Sequence, residues 1–358
     1  MPASNARAIA KARTLDCDVV ILDLEDAVAS EEKIAARDRV VAAVREGGFG
    51  ARELVVRING LDTPWYADDI AAVRWIGVDA VLVPKLSYPA ELDAIRGSLG
   101  DDGPPIWAMI ETCAAILSLP ALSQAAWGSR LTALIAGTND LAKDTWAQLV
   151  RGRVPMLPWM MLTLAAARAE GLIVLDGVWN DIADPEGCRE ECRQARDLGF
   201  DGKTLIHPNQ LEPANTSFAP TEEEVRRARL VIEAFNLPEN AKRAAIKVEG
   251  RMYERQHIGM ARRAVNWREA IAAKGIVSVN DVALNTPGIN ISNVSSGRSD
   301  RSFQQISLRG FTPSTITSTL TSMFIDGVPV ASATALSTVT DPERIEILRG
   351  PQAAYFGR

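Results

Sequence analysis

The sequence predicts an α/β chain whose main part is a (β/α)8 TIM barrel lacking its first strand. Three observations predict it. Seven short apolar runs alternate with helical segments, and that alternation implies a parallel sheet. Each run ends in a polar cluster, and barrels keep their active sites at the C-terminal ends of their strands. The turn after the first run has no glycine-rich phosphate loop, which a doubly wound sheet would need.

Each element follows in order. Ser4 suits the N-cap of a helix over 5–15. Residues 19–24 (VVILDL) form a buried strand closing in Glu25 and Asp26, and a helix over 31–46 is ended by Gly47-Gly48. Strands over 53–59 (ELVVRIN) and 80–86 (AVLVPKL) are followed by helices over 65–75 and 89–98. Residues 106–112 (IWAMIET) and 131–140 (LTALIAGTND) give two more strands. A helix over 158–170, a strand over 172–179, a helix over 185–198 and a last strand over 202–207 complete the series. The missing strand is expected upstream of Met1. Helices over 222–235 and 251–273 are extra to the barrel, placed to pack on it or on a neighbouring subunit.

Composition bounds the function. With 39 Lys+Arg against 45 Asp+Glu the net charge is −6, which argues against a nucleic-acid surface. Two histidines, His207 and His257, exclude a multi-His zinc site. The four cysteines, Cys17, Cys113, Cys188 and Cys192, form no disulfide framework and suit a reducing cytoplasm; Cys188 and Cys192 read as helix-face thiols. Neither a secretory signal nor a run long enough to span a bilayer is present. All eight tryptophans precede Lys274, and the 84 residues after it hold no lysine but 21 Ser+Thr. That break divides the chain into a barrel (1–220), a helical lid segment (221–274) and a small β-rich domain (275–358).

Glu111 and Asp140 carry the chemistry that the residues suggest. A carboxylate is costly inside a buried strand, so each is expected at a strand's exposed tip. Two hard oxygen ligands there suit Mg²⁺ with positions left for water and substrate; the plainer alternative is that both cap the following helices. Arg57, near the end of its strand, faces the same end.

Seven pieces in order then carry a resemblance: VVILDLEDAV (19–28), VVRIN (55–59), VPK (83–85), MIET (109–112), GTNDLAKD (137–144), LDGVWND (175–181) and GKTLIHPNQ (202–210). Residues 1 to about 270 resemble the CoA-ester lyases related to the citrate lyase beta subunit, malyl-CoA and citramalyl-CoA lyases among them. The resemblance implies a Mg²⁺-dependent barrel, usually a homotrimer or a multiple of one. It makes or breaks a C–C bond between an acyl-CoA and a 2-oxo acid such as glyoxylate, pyruvate or oxaloacetate. It implies Glu111 and Asp140 as metal ligands and Arg57 against the substrate oxygens. The amides around Gly137, Thr138 and Asn139 would hold the oxo acid's carboxylate. Glu25 and Asp26 would hold metal-bound water or position the arginine, with a structural pair to Arg57 as the alternative. Lys85 would contact the CoA phosphates or cover the rim. The acid/base would come from 248–257 (VEGRMYERQH), acting on an adjacent subunit; several relatives have Asp where this chain has Glu254. His207 is expected to close the last strand and Trp179 to pack. A thioesterase that hydrolyses malyl-CoA is the alternative enzyme, and the loss of a strand would allow an inactive one.

From about Gly275 the chain resembles the plug domain of TonB-dependent outer-membrane receptors, through DVALNTPGINI (281–291), ISLRGF (306–311), MFIDGVPV (323–330) and ERIEILRGPQAAYFG (343–357). Turns are expected at Pro287-Gly288, Asp326-Gly327 and Gly350-Pro351. With the chain ending at Arg358, no working membrane partner is expected for this piece. The junction reads as two truncated genes or an engineered fusion, and a siderophore- or vitamin-binding module is the non-enzymatic alternative.

Overall fold

A computed structural model describes residues 1–274 and the short strands Met323–Ile325 and Val328–Val330. The chain divides into two compact units, Met1–Pro287 and Gly288–Arg358. In the first, seven strands run parallel in sequence order: β1 (Val19–Asp23), β2 (Glu53–Arg57), β3 (Ala80–Val83), β4 (Ile106–Ile110), β5 (Leu131–Ala136), β6 (Ile173–Asp176) and β7 (Gly202–Lys203). The intervening helices are α1 (Ala6–Ala12), α2 (Lys33–Glu46), α3 (Tyr66–Val73), α4 (Pro89–Leu99), α5 (Cys113–Gln124), α6 (Ala126–Ser129), α7 (Thr138–Thr145), α8 (Leu157–Ala169), α9 (Pro185–Leu198) and α10 (Leu211–Phe218). This is a curled, partial (β/α)8 barrel. At the free edge of β1 the segment Met1–Ala3 lies parallel to it: Asp23 N–H donates to the Met1 carbonyl, and Ala3 N–H to the Asp23 carbonyl, each at 2.9 Å.

Side-chain alternation explains why the strands are apolar throughout. Val19, Ile21, Val55, Ala80, Leu82, Trp107, Met109, Ala133, Ile135, Ile173 and Leu175 form one cluster on the inner face of the sheet. Their neighbours, among them Val20, Leu22, Val56, Val81, Ala108, Leu134 and Val174, pack outward against the helices. Near the sheet's other edge a buried charge quartet joins strands to helix. Arg153 Nη1 and Lys203 Nζ hold Asp176 at 2.7 and 2.8 Å, and Lys203 also reaches Glu191 of α9 at 2.6 Å.

Several expectations are corrected. The first helix is capped by Asn5, whose Oδ1 accepts from Ala8 N–H, not by Ser4. The last strand stops at Lys203, because the chain then turns and His207 caps a short 3₁₀ turn beginning at Pro208. Helices α5 and α6 lie where none was expected; the segment is apolar nearly all round and holds Pro120, so its period is weak. The stretch expected as one helix over 251–273 is instead a hairpin, β8 (Ala245–Val248) and β9 (Arg251–Glu254), then α12 (His257–Lys274). Glu249 and Gly250 at the hairpin tip both have positive φ, 47° and 82°, the signature of a two-residue primed turn. Helix α11 (Glu222–Asn236), the hairpin and α12 share their own apolar cluster around Val231, Phe235 and Ile246. Arg263–Asp201 and Arg196–Glu224 pairs tie this segment to the barrel. In the second unit β10 (Met323–Ile325) and β11 (Val328–Val330) pair antiparallel. The turns expected in 275–358, that at Asp326-Gly327 included, lie outside the described residues. No helix among the described residues is long and apolar enough to cross a membrane.

Candidate active site

The inner face ends in charge. Continuing the two-residue alternation past the apolar layers gives Asp23 after Ile21, Arg57 after Val55 and Glu111 after Met109. Strands β1 and β2 thus end in Asp23 and Arg57, set opposite each other, and Glu111 follows directly on β4.

Asp23 and Arg57 form a two-pronged ion pair. Arg57 Nε donates to Asp23 Oδ1 at 2.6 Å and Nη2 to Oδ2 at 2.5 Å. Burial pushes the Asp23 carboxyl up, but the hydrogen bonds and charge of Arg57 outweigh it and hold the group below its ordinary value. Arg57 Nη1 lies 3.0 Å from Glu25 Oε2. That contact is electrostatic only, since Oε2 is buried and accepts no hydrogen bond. Of five guanidinium N–H groups, two are spent on Asp23, while Nη1 faces Glu25 and donates to Met109 Sδ at 3.7 Å, which leaves one for a ligand.

Glu25 is held from three sides. Its N–H donates to Asp23 Oδ1 at 2.9 Å. Buried Lys33 donates to the Leu24 and Glu25 carbonyls and to Asn59 Oδ1, each at 2.7 Å. Lys85 Nζ donates to Glu25 Oε1 at 2.5 Å, and the Lys85 N–H donates to Glu111 Oε1 at 2.8 Å.

Glu111 is 1 % exposed. Burial, then the negative charges of Asp140 and Glu25, push its carboxyl from 4.5 up to about 8. Asp140 sits in the first turn of α7, not at the tip of β5 as the sequence suggested; Gly137 ends the strand and the helix begins at Thr138. Asp144, one turn on, accepts from Cys113 N–H at 2.6 Å and so ties α7 to the start of α5, just beyond Glu111.

The residues fit a divalent cation. Four carboxylates (Asp23, Glu25, Glu111, Asp140) face two cations (Arg57, Lys85), and no ion pair among the described residues engages Glu111 or Asp140. Burial, and after it the negative charges of Asp140 and Glu25, favour the protonated form of Glu111, and a cation would offset those charges. Among the described residues no group of three potential protein ligands occurs. The donor set is therefore two carboxylates with open positions, the kind Mg²⁺ accepts alongside water and substrate.

The other expected site residues divide. Gly137 N–H donates to the Ile110 carbonyl at 2.9 Å, so it is not free to hold a carboxylate. Its contribution is spatial: a Cβ there would lie 2.4 Å from Glu111 Cβ and 2.6 Å from Oε2. The amides of Thr138 and Asn139 open α7 and have no intrahelical partner. Asn139 exchanges two amide bonds, 2.8 and 3.0 Å, with Asn180 after β6. Asp26 is exposed and lies 3.9 Å from Lys85 Nζ, making no contact with Arg57; Asp23 takes the role of holding the arginine. Lys85 reaches into the carboxylate cluster through Glu25. Glu254 ends β9, and its hydrogen bonds go to Gln256 and His257, none to the cluster. His207 partners Asn209 at 2.7 Å, and Trp179 Nε1 donates to the Asp184 carbonyl at 3.0 Å. Asp23 and Lys33 were not expected; counting alternate residues along VVILD would have found Asp23.

Residues 1–208 match the family described as HpcH/HpaI aldolase/citrate lyase, and residues 261–358 match the TonB-dependent receptor plug domain. The chain is 44% identical over 273 residues to a (3S)-malyl-CoA thioesterase of Cereibacter sphaeroides, covering 76% of this chain and 94% of that one. It is 31% identical over 300 residues to an L-malyl-CoA/beta-methylmalyl-CoA lyase of Cereibacter sphaeroides, with 76% and 94% covered. Protein CitE of Mycobacterium tuberculosis, solved with magnesium, acetoacetate and coenzyme A, superposes with a TM-score of 0.64 at 28% identity, covering 75% of this chain and 96% of CitE. The barrel-forming part places this chain in the HpcH/HpaI aldolase/citrate lyase family.

Proposed function

We propose that the protein is a Mg²⁺-dependent enzyme acting on a CoA thioester joined to a 2-hydroxy acid, as in malyl-CoA, and that it breaks or forms the C–C bond between acyl-CoA and 2-oxo acid. The observation that carries this reading is a fixed cation, Arg57, beside the buried carboxyl of Glu111, whose electrostatic neighbour is Asp140 in the first turn of α7. Glu111 and Asp140 are the residues that would hold the metal. Bound there, Mg²⁺ supplies a Lewis acid for the oxygens of the acid end.

The chain's own groups supply the rest. In cleavage the hydroxyl proton passes to a carboxylate or water at the site, the O–H electron pair becomes the carbonyl of the 2-oxo acid, and the C–C bond breaks with its electrons passing to the thioester as an enolate. The free N–H of Arg57 and its positive charge stabilise that enolate without the arginine losing a proton. The Thr138 and Asn139 amides receive the acid's carboxylate at a helix N-terminus. The enolate carbon then takes a proton from a carboxyl group. Glu254 is that group in this reading, reaching the site of an adjacent subunit. A trimer belongs to the reading for that reason, and the free cysteines suit the cytoplasm.

A second reading, thioester hydrolysis, is favoured by the 44% identity to a (3S)-malyl-CoA thioesterase. Incubating malyl-CoA with the protein and Mg²⁺ separates the two. Glyoxylate and acetyl-CoA in equal amounts mean cleavage; malate and free CoA mean hydrolysis. If malyl-CoA and citramalyl-CoA both survive intact, neither reading stands.

A further inference from the structure

We propose that Lys85 sorts the two carboxylates it touches, giving Glu111 to the divalent cation and withholding Glu25 from it. This rests on the metal-site reading above. Lys85 is a non-glycine residue in the left-handed region, at φ 55°. Side chains are disfavoured there, and such strain persists only where the surroundings hold it. Here one residue addresses both acids. Its main-chain N–H donates to Glu111 Oε1 at 2.8 Å, its ammonium donates to Glu25 Oε1 at 2.5 Å, and its carbonyl accepts from Ser87 Oγ at 3.1 Å.

Glu25 needs withholding. It is 5 % exposed, close enough to Glu111 for its charge to be felt there, and its Oε2 accepts no hydrogen bond. A carboxylate so placed is a third hard oxygen donor for a divalent ion. Joining the metal, it would fill a position that substrate needs and would weaken the ion as a Lewis acid. With Lys85 on one oxygen and Arg57 3.0 Å from the other, Glu25 stays an ion-pair partner. Lys85 is thus a positioning residue that acts through Glu25.

The test uses the full chain loaded with Mn²⁺ in place of Mg²⁺, with metal-bound waters counted by pulsed EPR in D₂O. We expect Lys85→Met to lose one inner-sphere water relative to the parent, to bind Mn²⁺ about tenfold more tightly as a nearby positive charge is removed, and to lose most of kcat. Adding Glu25→Gln should restore the water. A structural role alone would move stability and leave the water count unchanged. Lys85→Gly, which keeps the N–H and suits the left-handed backbone, serves the same comparison if the methionine variant does not fold. An unchanged water count in the Lys85 variant overturns the sorting role, whatever happens to kcat. A parent chain that binds no Mn²⁺ overturns the metal reading itself.

Discussion

Asp23 fixes where Arg57 points. Its two oxygens take the Nε and Nη2 edge of the guanidinium, while Nη1 faces Glu25 and the Met109 sulfur, so one Nη2 N–H is left for a ligand. Asp23→Asn halves the charge match and leaves one guanidinium N–H facing an amide. Breaking a buried pair costs about 3–5 kcal/mol, so the variant should melt lower. Losing such a supporting partner should also lower kcat by roughly 10–100-fold; a kcat equal to the parent's would mean that Arg57 is aimed by something else. Glu111 gives a second expectation at this scale. Its pKa in the metal-free fold is raised from 4.5 to about 8, so the folded state holds a proton that the unfolded state has released. Metal-free stability should therefore fall as pH rises from about 4.5 through 8. Mg²⁺ uptake at pH 7 should release a proton, read by titration calorimetry in buffers of different ionisation enthalpy, and release less at pH 9. Equal heats in every buffer at pH 7 would mean that Glu111 is already ionised. Arg57, Glu111 and Asp140 were legible from the sequence because charges at the ends of apolar runs stand out. Asp23 could be reached by counting alternate residues along VVILD, but its role could not, because its partner comes from a different strand and only the pairing of β1 with β2 sets the two opposite each other.

The turn between β5 and α7 shows what an element contributes beyond its side chains. Gly137 is there for space: a methyl group would fall within 2.4 Å of Glu111 Cβ. Gly137→Ala should push Glu111 off its seat and weaken Mg²⁺ binding at least tenfold, about 1.4 kcal/mol, while far-UV circular dichroism stays native. Full metal affinity in that variant would show that Glu111 can give way. Most strand positions could be read from apolar runs, because a strand buried on both faces has no polar period to confuse. Helix α7 was not legible, since its eight residues, TNDLAKDT, begin inside the motif itself. The hairpin of β8 and β9 was missed because alternation over four residues, in which only Ile246 of β8 is buried, is too short a signal. Its primed turn is set by the backbone of Glu249 and Gly250, a preference that Glu does not advertise.

For the whole molecule, composition breaks at Lys274, by which the tryptophans and lysines have stopped, whereas the two compact units divide between Pro287 and Gly288. Among the described residues, the barrel core and the cluster around α11 and α12 are built from residues before Lys274. A chain ending at Lys274 should accordingly melt within a few degrees of the full chain and turn over the same thioester. Loss of activity in that shorter chain, with folding intact, would assign a catalytic part to residues 275–358. How many strands share the barrel was legible from counting; how its edges are secured was not, because that depends on ion pairs between distant residues. The charge quartet of Arg153, Asp176, Glu191 and Lys203 bears on the second edge. β7 is only two residues long, and by its main-chain bonds alone it would be the first strand to fray. To detach it, however, Lys203 must leave two carboxylates in a place that water does not reach. The consequence is one of timing: in hydrogen–deuterium exchange the amides of this shortest strand should open together with the long central strands, not ahead of them.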